Sequence, residues 1–280
     1  MRRTLFLVAL IALILVPQAG AGDWAKSVSG AQARAKAKNQ MIFVDLFAQW
    51  CGWCHRFEAD VVPSEEFKKA TSEMVLLKVD TDDRGDGTAL ARKYQISTLP
   101  TFLLLNPDMS IAAVIRGYAP APRFVKMLEE AVNKNKAFLR SVKQESTNAR
   151  DYPKRLEIAR EFLQRQAWSE SELRFRKLTT EKGVPLAFRD EAFYQLAMLF
   201  MTQGKYEDTL KTIKEFERIQ KEGEFFERSS LLRGDVFLQQ GKIAAAVEVF
   251  KDFKDRFPNS QFIPNVDSAL PQIEQRLKTQ

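Results

Sequence analysis

Both cysteines of the 280-residue chain and its single histidine fall within one short stretch, Trp50-Cys51-Gly52-Trp53-Cys54-His55. The run before it, Met41-Ile42-Phe43-Val44-Asp45-Leu46-Phe47-Ala48, is apolar except for Asp45 and has the length of a buried strand. The run after it has helical spacing through Phe57 to about Val62 and stops near Pro63. A strand that enters a helix through Cys-x-x-Cys is a strong constraint on fold and chemistry together. A sulfur at a helix N-terminus faces unpaired backbone N–H groups and the positive end of the helix dipole, which favour its thiolate. The thiolate is the attacking species in disulfide exchange. A loop this short staples little, so the pair reads as chemical and not structural.

Residues 23–39 read as an N-terminal helix with Trp24 placed to pack on a sheet. Ser64 can cap a second short helix, with Glu65 and Glu66 in its first turn where carboxylates suit the dipole. Val75–Asp80 is a second apolar strand, and Thr88–Tyr94 a short helix. Between them, Asp80–Gly87 has the look of a calcium loop, but Arg84 and Ala91 stand where ligands are needed, so it reads as a solvated turn and no metal is expected. Thr101–Leu105 and Ile111–Ile115, joined through Asn106-Pro107-Asp108, form a hairpin, and a helix from Ala121 to Asn133 follows. The order α-β-α-β-α-β-β-α predicts an α/β fold, a mixed central sheet with helices on both faces.

From residue 151 no strand pattern is found. Gln203-Gly204-Lys205-Tyr206 and Gln240-Gly241-Lys242-Ile243 each open a helix, 37 positions apart, and a weaker third copy surrounds Ala167-Trp168. Repeats of this period are stacked helical hairpins. With Gly204-Lys205-Tyr206 and Phe257-Pro258-Asn259-Ser260, this half resembles the tetratricopeptide repeat family, which implies an all-α domain that binds protein partners. Val266–Lys278 reads as a capping helix. The expected partition is a signal peptide at 1–21, an α/β domain at 22–140, a linker at 141–150 and a helical repeat domain at 151–280, with the polar, strandless residues 134–150 either continuing the preceding helix or forming that linker.

Val44-Asp45-Leu46-Phe47-Ala48-Gln49-Trp50-Cys51-Gly52-Trp53-Cys54, together with Leu99-Pro100-Thr101 before the hairpin, resembles the thioredoxin superfamily, in particular its exported disulfide-exchange branch. That resemblance implies a thioredoxin-like fold and a set of roles. Cys51 is the nucleophile and Cys54 the resolving thiol. Asp45 is a buried proton acceptor for Cys54, and Pro100 is a cis proline that leaves the Leu99 backbone free to pair with an extended substrate segment. Gly117 is a small residue that admits the substrate. Trp50 and Trp53 flank the thiols, either as a docking surface or, for Trp50, as packing. His55 either stabilises a thiolate or is an inert surface residue. No cofactor is implied beyond the Cys51–Cys54 pair itself.

Arg2-Arg3, the apolar run Leu5–Val16 and the small residues Ala19-Gly20-Ala21 read as a cleavable secretory signal, too short to span a bilayer. Export to the periplasm or beyond, with no stable membrane insertion after cleavage, is therefore expected. The formal charge is +7, of which Arg2 and Arg3 of the signal supply two; the rest is spread over both halves without a basic block interleaved with aromatics, which argues against nucleic acid. The expected function is an exported thiol–disulfide oxidoreductase, reducing or isomerising protein substrates, served by a redox partner protein and a recruiting helical domain. Two other readings compete with it. One is a periplasmic protein-binding scaffold with a regulatory Cys-x-x-Cys domain. The other is a c-type haem protein through the CxxCH pattern of Cys51–His55, which leaves Asp45 and the Leu99-Pro100-Thr101 hairpin without a purpose.

Overall fold

The computed structural model describes residues 24–145 and 149–278. The expected signal peptide lies outside the described residues. Two compact units form: one from the residues up to Pro107 with Val114–Glu130, the other from Asp108–Ala113 with the residues from Ala131 onward. Among the described residues no helix is long and apolar enough to cross a membrane.

The first unit holds α1 (Val28–Lys38), β1 (Ile42–Phe47), α2 (Gly52–Asp60), α3 (Glu65–Thr71), β2 (Val75–Asp80), α4 (Asp86–Lys93) and β3 (Thr101–Leu105). β4 (Ile111–Arg116) and α5 (Ala121–Glu145) pass from one unit into the other. The sheet order is β2-β1-β3-β4, mixed, with β1 parallel to β2 and antiparallel to β3. Side chains alternate along a strand, so Phe43 and Asp45 share one face of β1. That face is built of phenylalanine. Phe43, Phe57 from α2, Phe67 from α3, Phe102 from β3 and Phe124 from α5 are all buried, and Phe57 lies 4.2 Å from Phe102 and 4.7 Å from Phe124, centroid to centroid. Edge and tilted contacts of this kind add about 0.5–1.5 kcal/mol per pair beyond the buried area.

Ser27 and Ser64 cap α1 and α3 through their hydroxyls, and Glu65 and Glu66 occupy the first turn of α3 as the dipole favours. The outer edge of β2 is met by the segment before α1. Ala25 forms a parallel bridge to Leu77, and its N–H donates to the Leu76 carbonyl at 2.7 Å. Trp24 stands edge-on to Phe43 with centroids 6.4 Å apart. The acidic loop is held from within. The Asp83 carboxylate accepts from the N–H groups of Gly85, Gly87 and Thr88, and the Gly87 bond foremost keeps it below the usual carboxylate range.

The second unit is a series of helical hairpins: α6 (Tyr152–Gln164) with α7 (Trp168–Thr180), α8 (Leu186–Thr202) with α9 (Tyr206–Ile219), α10 (Glu224–Gln239) with α11 (Ile243–Arg256), then α12 (Ile263–Lys278). The turns inside the three hairpins are copies of one another. Gln166, Gly204 and Gly241 take positive φ of 55°, 70° and 72°, and the next residues, Ala167, Lys205 and Lys242, sit at φ −82° to −84° and ψ 63° to 67°. Neighbouring hairpins share their apolar faces: Leu156 and Ala159 of α6, Phe175 and Leu178 of α7, and Leu196 and Phe200 of α8 form one cluster.

The linker expected at 141–150 is replaced in part by helix, since α5 runs to Glu145. The apolar face continues past Asn133, where Phe138 and Val142 pack against Ile158, Phe162 and Ala167. Residues 146–148 lie outside the described residues.

Candidate active site

Cys51 is the N-cap of α2, and its Sγ accepts the N–H of Cys54 at 3.2 Å. The two sulfurs form a disulfide with Cα atoms 5.3 Å apart. In this disulfide form Cys51 is 5% exposed, little different from Cys54 at 3%. Ala48, Phe47 and Leu99 pack around the pair and cover it.

β1 carries Asp45 into the phenylalanine face. The residue is 2% exposed, and Oδ1 has no hydrogen-bond partner. Burial disfavours the charged form and pushes the Asp45 pKa up to about 7. Lys78 opposes that shift, and Glu58 adds to it. Both neighbours follow from the fold. Lys78 is the β2 residue paired with Asp45, and Glu58 stands one helical turn beyond Cys54. The Lys78 ammonium bonds Glu58 at 2.6 Å and lies 4.3 Å from the centre of the Phe47 ring. The sequence reading missed both residues. Their link to Asp45 lies in strand register, which no local pattern shows.

The Leu99–Pro100 peptide is cis. Leu99 packs on the cysteines, and its backbone N–H and C=O make no hydrogen bond among the described residues. The Pro100 carbonyl accepts from Gly117 N–H at 2.9 Å, which ties the end of β4 to the start of β3. Gly117 has φ +81°, and a Cβ built there would meet nothing within 4 Å. The backbone conformation, more than space, favours glycine at this position.

Trp50 and Trp53 are 72% and 60% exposed. Trp50 Nε1–H donates to Asp82 Oδ2 at 2.8 Å, so the acidic loop orients its ring. Trp53 stacks on Tyr118 with centroids 5.3 Å apart. His55 Nε2 lies 2.9 Å from the carbonyl of Gln49; a carbonyl only accepts, so this nitrogen carries the proton. The site thus gathers Asp45, Trp50, Cys51, Trp53, Cys54, His55, Leu99, Pro100 and Gly117 into the first unit. Tyr118, Asp60 and Asp82 join them without having been foreseen: Tyr118 through the stack on Trp53, Asp60 through the Tyr118 hydroxyl and Asp82 through the Trp50 indole.

The arrangement presents one sulfur at a helix start, a second behind it, a carboxyl group able to exchange a proton near neutral pH, and an unpaired stretch of extended backbone beside them. The thioredoxin-like domain family matches residues 28–132, and the tetratricopeptide repeat family matches residues 228–260. The chain is 38% identical over 78 residues to a thiol:disulfide interchange protein DsbD of Klebsiella pneumoniae, covering 28% of this chain and 13% of that protein. It is 34% identical over 80 residues to thioredoxin 1 of Plasmodium falciparum, covering 28% of this chain and 70% of that one. A solved thioredoxin from Thermus thermophilus aligns with 40% of this chain and 88% of its own at 25% identity, with a TM-score of 0.37. The chain spans less than a fifth of the length of the DsbD proteins it matches.

Proposed function

The chain belongs to the thioredoxin-like family, and from that premise we propose that it is an exported thiol–disulfide oxidoreductase acting on protein substrates, in the reducing or isomerising direction. The observation that carries the reading is the joined pair Cys51–Cys54 at the start of α2, behind which Asp45 lies buried with a free carboxyl oxygen.

In the reduced protein the Cys51 thiolate attacks one sulfur of a substrate disulfide. The substrate S–S bond breaks, a mixed disulfide forms, and the departing substrate thiolate takes up a proton. Asp45 accepts the proton of Cys54. The Cys54 thiolate then attacks Cys51 Sγ, closes the disulfide and expels the second substrate thiolate, which is protonated in turn. Two electrons pass from the protein dithiol to the substrate, and a partner dithiol protein returns the chain to its reduced form. Run backward, the same steps oxidise a substrate dithiol. The Leu99 backbone offers one N–H and one C=O to an extended substrate segment, in the manner of an added strand. Gly117 keeps that approach open, and the exposed indoles of Trp50 and Trp53 give it apolar walls. His55, hydrogen-bonded to Gln49, holds the turn before Cys51, and no chemical step is assigned to it. Haem attachment would leave the buried Asp45 and the cis Leu99–Pro100 bond without a purpose.

The helical unit recruits a protein partner or client. The residues from 1 to 21 direct export to the periplasm, and no cofactor beyond the cysteine pair takes part. Reduction of insulin disulfides by the full chain tests the reading, and Cys51→Ala is expected to abolish it. Retained turnover in that variant refutes the proposal. The potential of the Cys51–Cys54 pair decides direction: a value near −270 mV marks a reductant and one near −120 mV an oxidant, roughly the thioredoxin and DsbA extremes.

A further inference from the structure

Trp53 stands between the two cysteines with more than half of its surface in water, and one face of its ring is held by a network that the exchange chemistry does not use. Trp53, Arg56 and Asp60 are spaced i, i+3 and i+7, so they share one face of α2. All three converge on Tyr118. Trp53 stacks on its ring, Arg56 lies 5.9 Å from the ring centroid, and the Tyr118 hydroxyl donates to Asp60 Oδ2 at 2.9 Å. Arg56 Nε donates to the same oxygen at 2.9 Å. Tyr118 is fixed at its other end too, because it follows Gly117, whose N–H is bonded to the Pro100 carbonyl. The path from the unpaired Leu99 backbone through Pro100 and Gly117 therefore ends on the Trp53 ring, next to Cys54.

We propose that the Trp53–Tyr118 stack is a specificity-determining wall which reads the side chain next to the substrate cysteine and favours an apolar one, with Asp60 and Arg56 as its positioning residues. This rests on the exchange reading above and adds the class of substrate to it. The occupant is an extended polypeptide segment. Such a segment meets the free polar groups of Leu99, its cysteine must reach Cys51, and its neighbouring side chain is then carried past Gly117 to the stacked rings of Tyr118 and Trp53. Arg56 and Asp60 neutralise each other, so the wall offers no net charge. A hydroxyl set against the ring faces loses water without gaining a hydrogen-bond partner there, whereas an apolar group gains by leaving water.

The test uses two peptide disulfides that differ only in the residue beside the cysteine, Phe in one and Ser in the other. Each is mixed with the pre-reduced full chain, and the second-order rate constant of protein oxidation is read. Because the readout is the ratio of the two constants, it is independent of the fraction of protein that is folded. The wild type is expected to favour the Phe peptide by about tenfold, the scale of discrimination by a modest apolar contact. Tyr118→Ala brings the ratio below about twofold, whereas Asp60→Ala and Tyr118→Phe, which both break the Tyr118–Asp60 hydrogen bond but leave the ring in place, give intermediate values. A wild type that reacts with both peptides at equal rates overturns the proposal, as does an unchanged ratio in Tyr118→Ala. A wild type inert toward both peptides and toward oxidised glutathione overturns the exchange reading, and this inference with it.

Discussion

Two buried cations of the helical unit and the buried acid behind the cysteines are handled in opposite ways. In the helical unit the Arg155 guanidinium, nearly out of contact with water, donates to both oxygens of Glu181 and to the Ala149 carbonyl. Arg165, equally buried, donates to Asn135 Oδ1 and Glu161 Oε1 and stacks over Phe138 at 4.1 Å. These cations have what a buried charge needs to be stable. In the first unit Asp45 is buried more completely, and one of its oxygens has no partner. Lys78, which could neutralise it, is bonded to Glu58 instead. A charge satisfied on all sides serves structure. One left short of partners keeps a pKa near neutrality and can move a proton, which is what the cysteine pair requires. The comparison teaches where in this molecule stability has been given up.

The sharpest way to break that contrast is Asp45→Asn. The folded-state pKa of about 7 lies above the ordinary 3.8, so the folded wild type binds the proton more tightly than the unfolded chain and loses stability as pH rises from about 4 to about 7. Asparagine does not titrate. The stability of the variant relative to wild type should therefore grow by roughly 4 kcal/mol between pH 3.5 and pH 8 and level off above that. Urea unfolding of the oxidised proteins across this range measures it, and a pH-independent difference would show that Asp45 is not held neutral by burial.

Close approaches differ between the units as well. A Cβ at Gly87 would stand 1.8 Å from the Asp80 carbonyl oxygen, and one at Gly234 of α10 would stand 2.6 Å from the Phe250 ring of α11. Backbone yields less than a side chain. Gly87→Ala is expected to cost about 3 kcal/mol and Gly234→Ala about 1–2 kcal/mol by thermal or urea unfolding. Equal costs would mean that the ring of Phe250 is as fixed as the loop backbone.

The smallest effect tests the likeness of the three hairpin turns. Gln166 holds a left-handed conformation that glycine holds at 204 and 241. Gln166→Gly should stabilise the helical unit by about 0.5–1 kcal/mol, read from its unfolding transition. A loss of stability would mean that the Gln166 side chain does something in its turn that the backbone geometry hides.

Much of this was legible beforehand, for identifiable reasons. The alternation of strand and helix in the first unit is written in short apolar runs broken by Pro63, Gly85 and Pro107. The hairpins announced themselves where glycine marks the turn, at Gly204 and Gly241, and only faintly at Gln166, where the same conformation is carried by a residue that is no turn signal. The extension of α5 was one of two readings, helix or linker, because Lys134, Lys136, Arg140 and Lys143 hide the sparse apolar stripe of Phe138 and Val142. At the site, the residues legible in sequence were those in the two motifs. Lys78 and Asp82 come to it from strand register and a distant loop, while Glu58, Asp60 and Tyr118 lie beside the motif residues Cys54, Trp53 and Gly117 but carry no motif of their own.

The bridge between Ala25 and Leu77 gives the first unit a vulnerability of its own. β2 is the outermost strand on that side, and the short segment before α1 is what occupies its free hydrogen-bonding edge. A chain nicked just beyond Ala25 by a protease would keep both cysteines, Asp45 and Pro100, yet would leave an apolar strand open to pairing with another molecule. Loss through aggregation would then precede any loss of chemistry, although the Ala25 contact lies far from the cysteines in sequence.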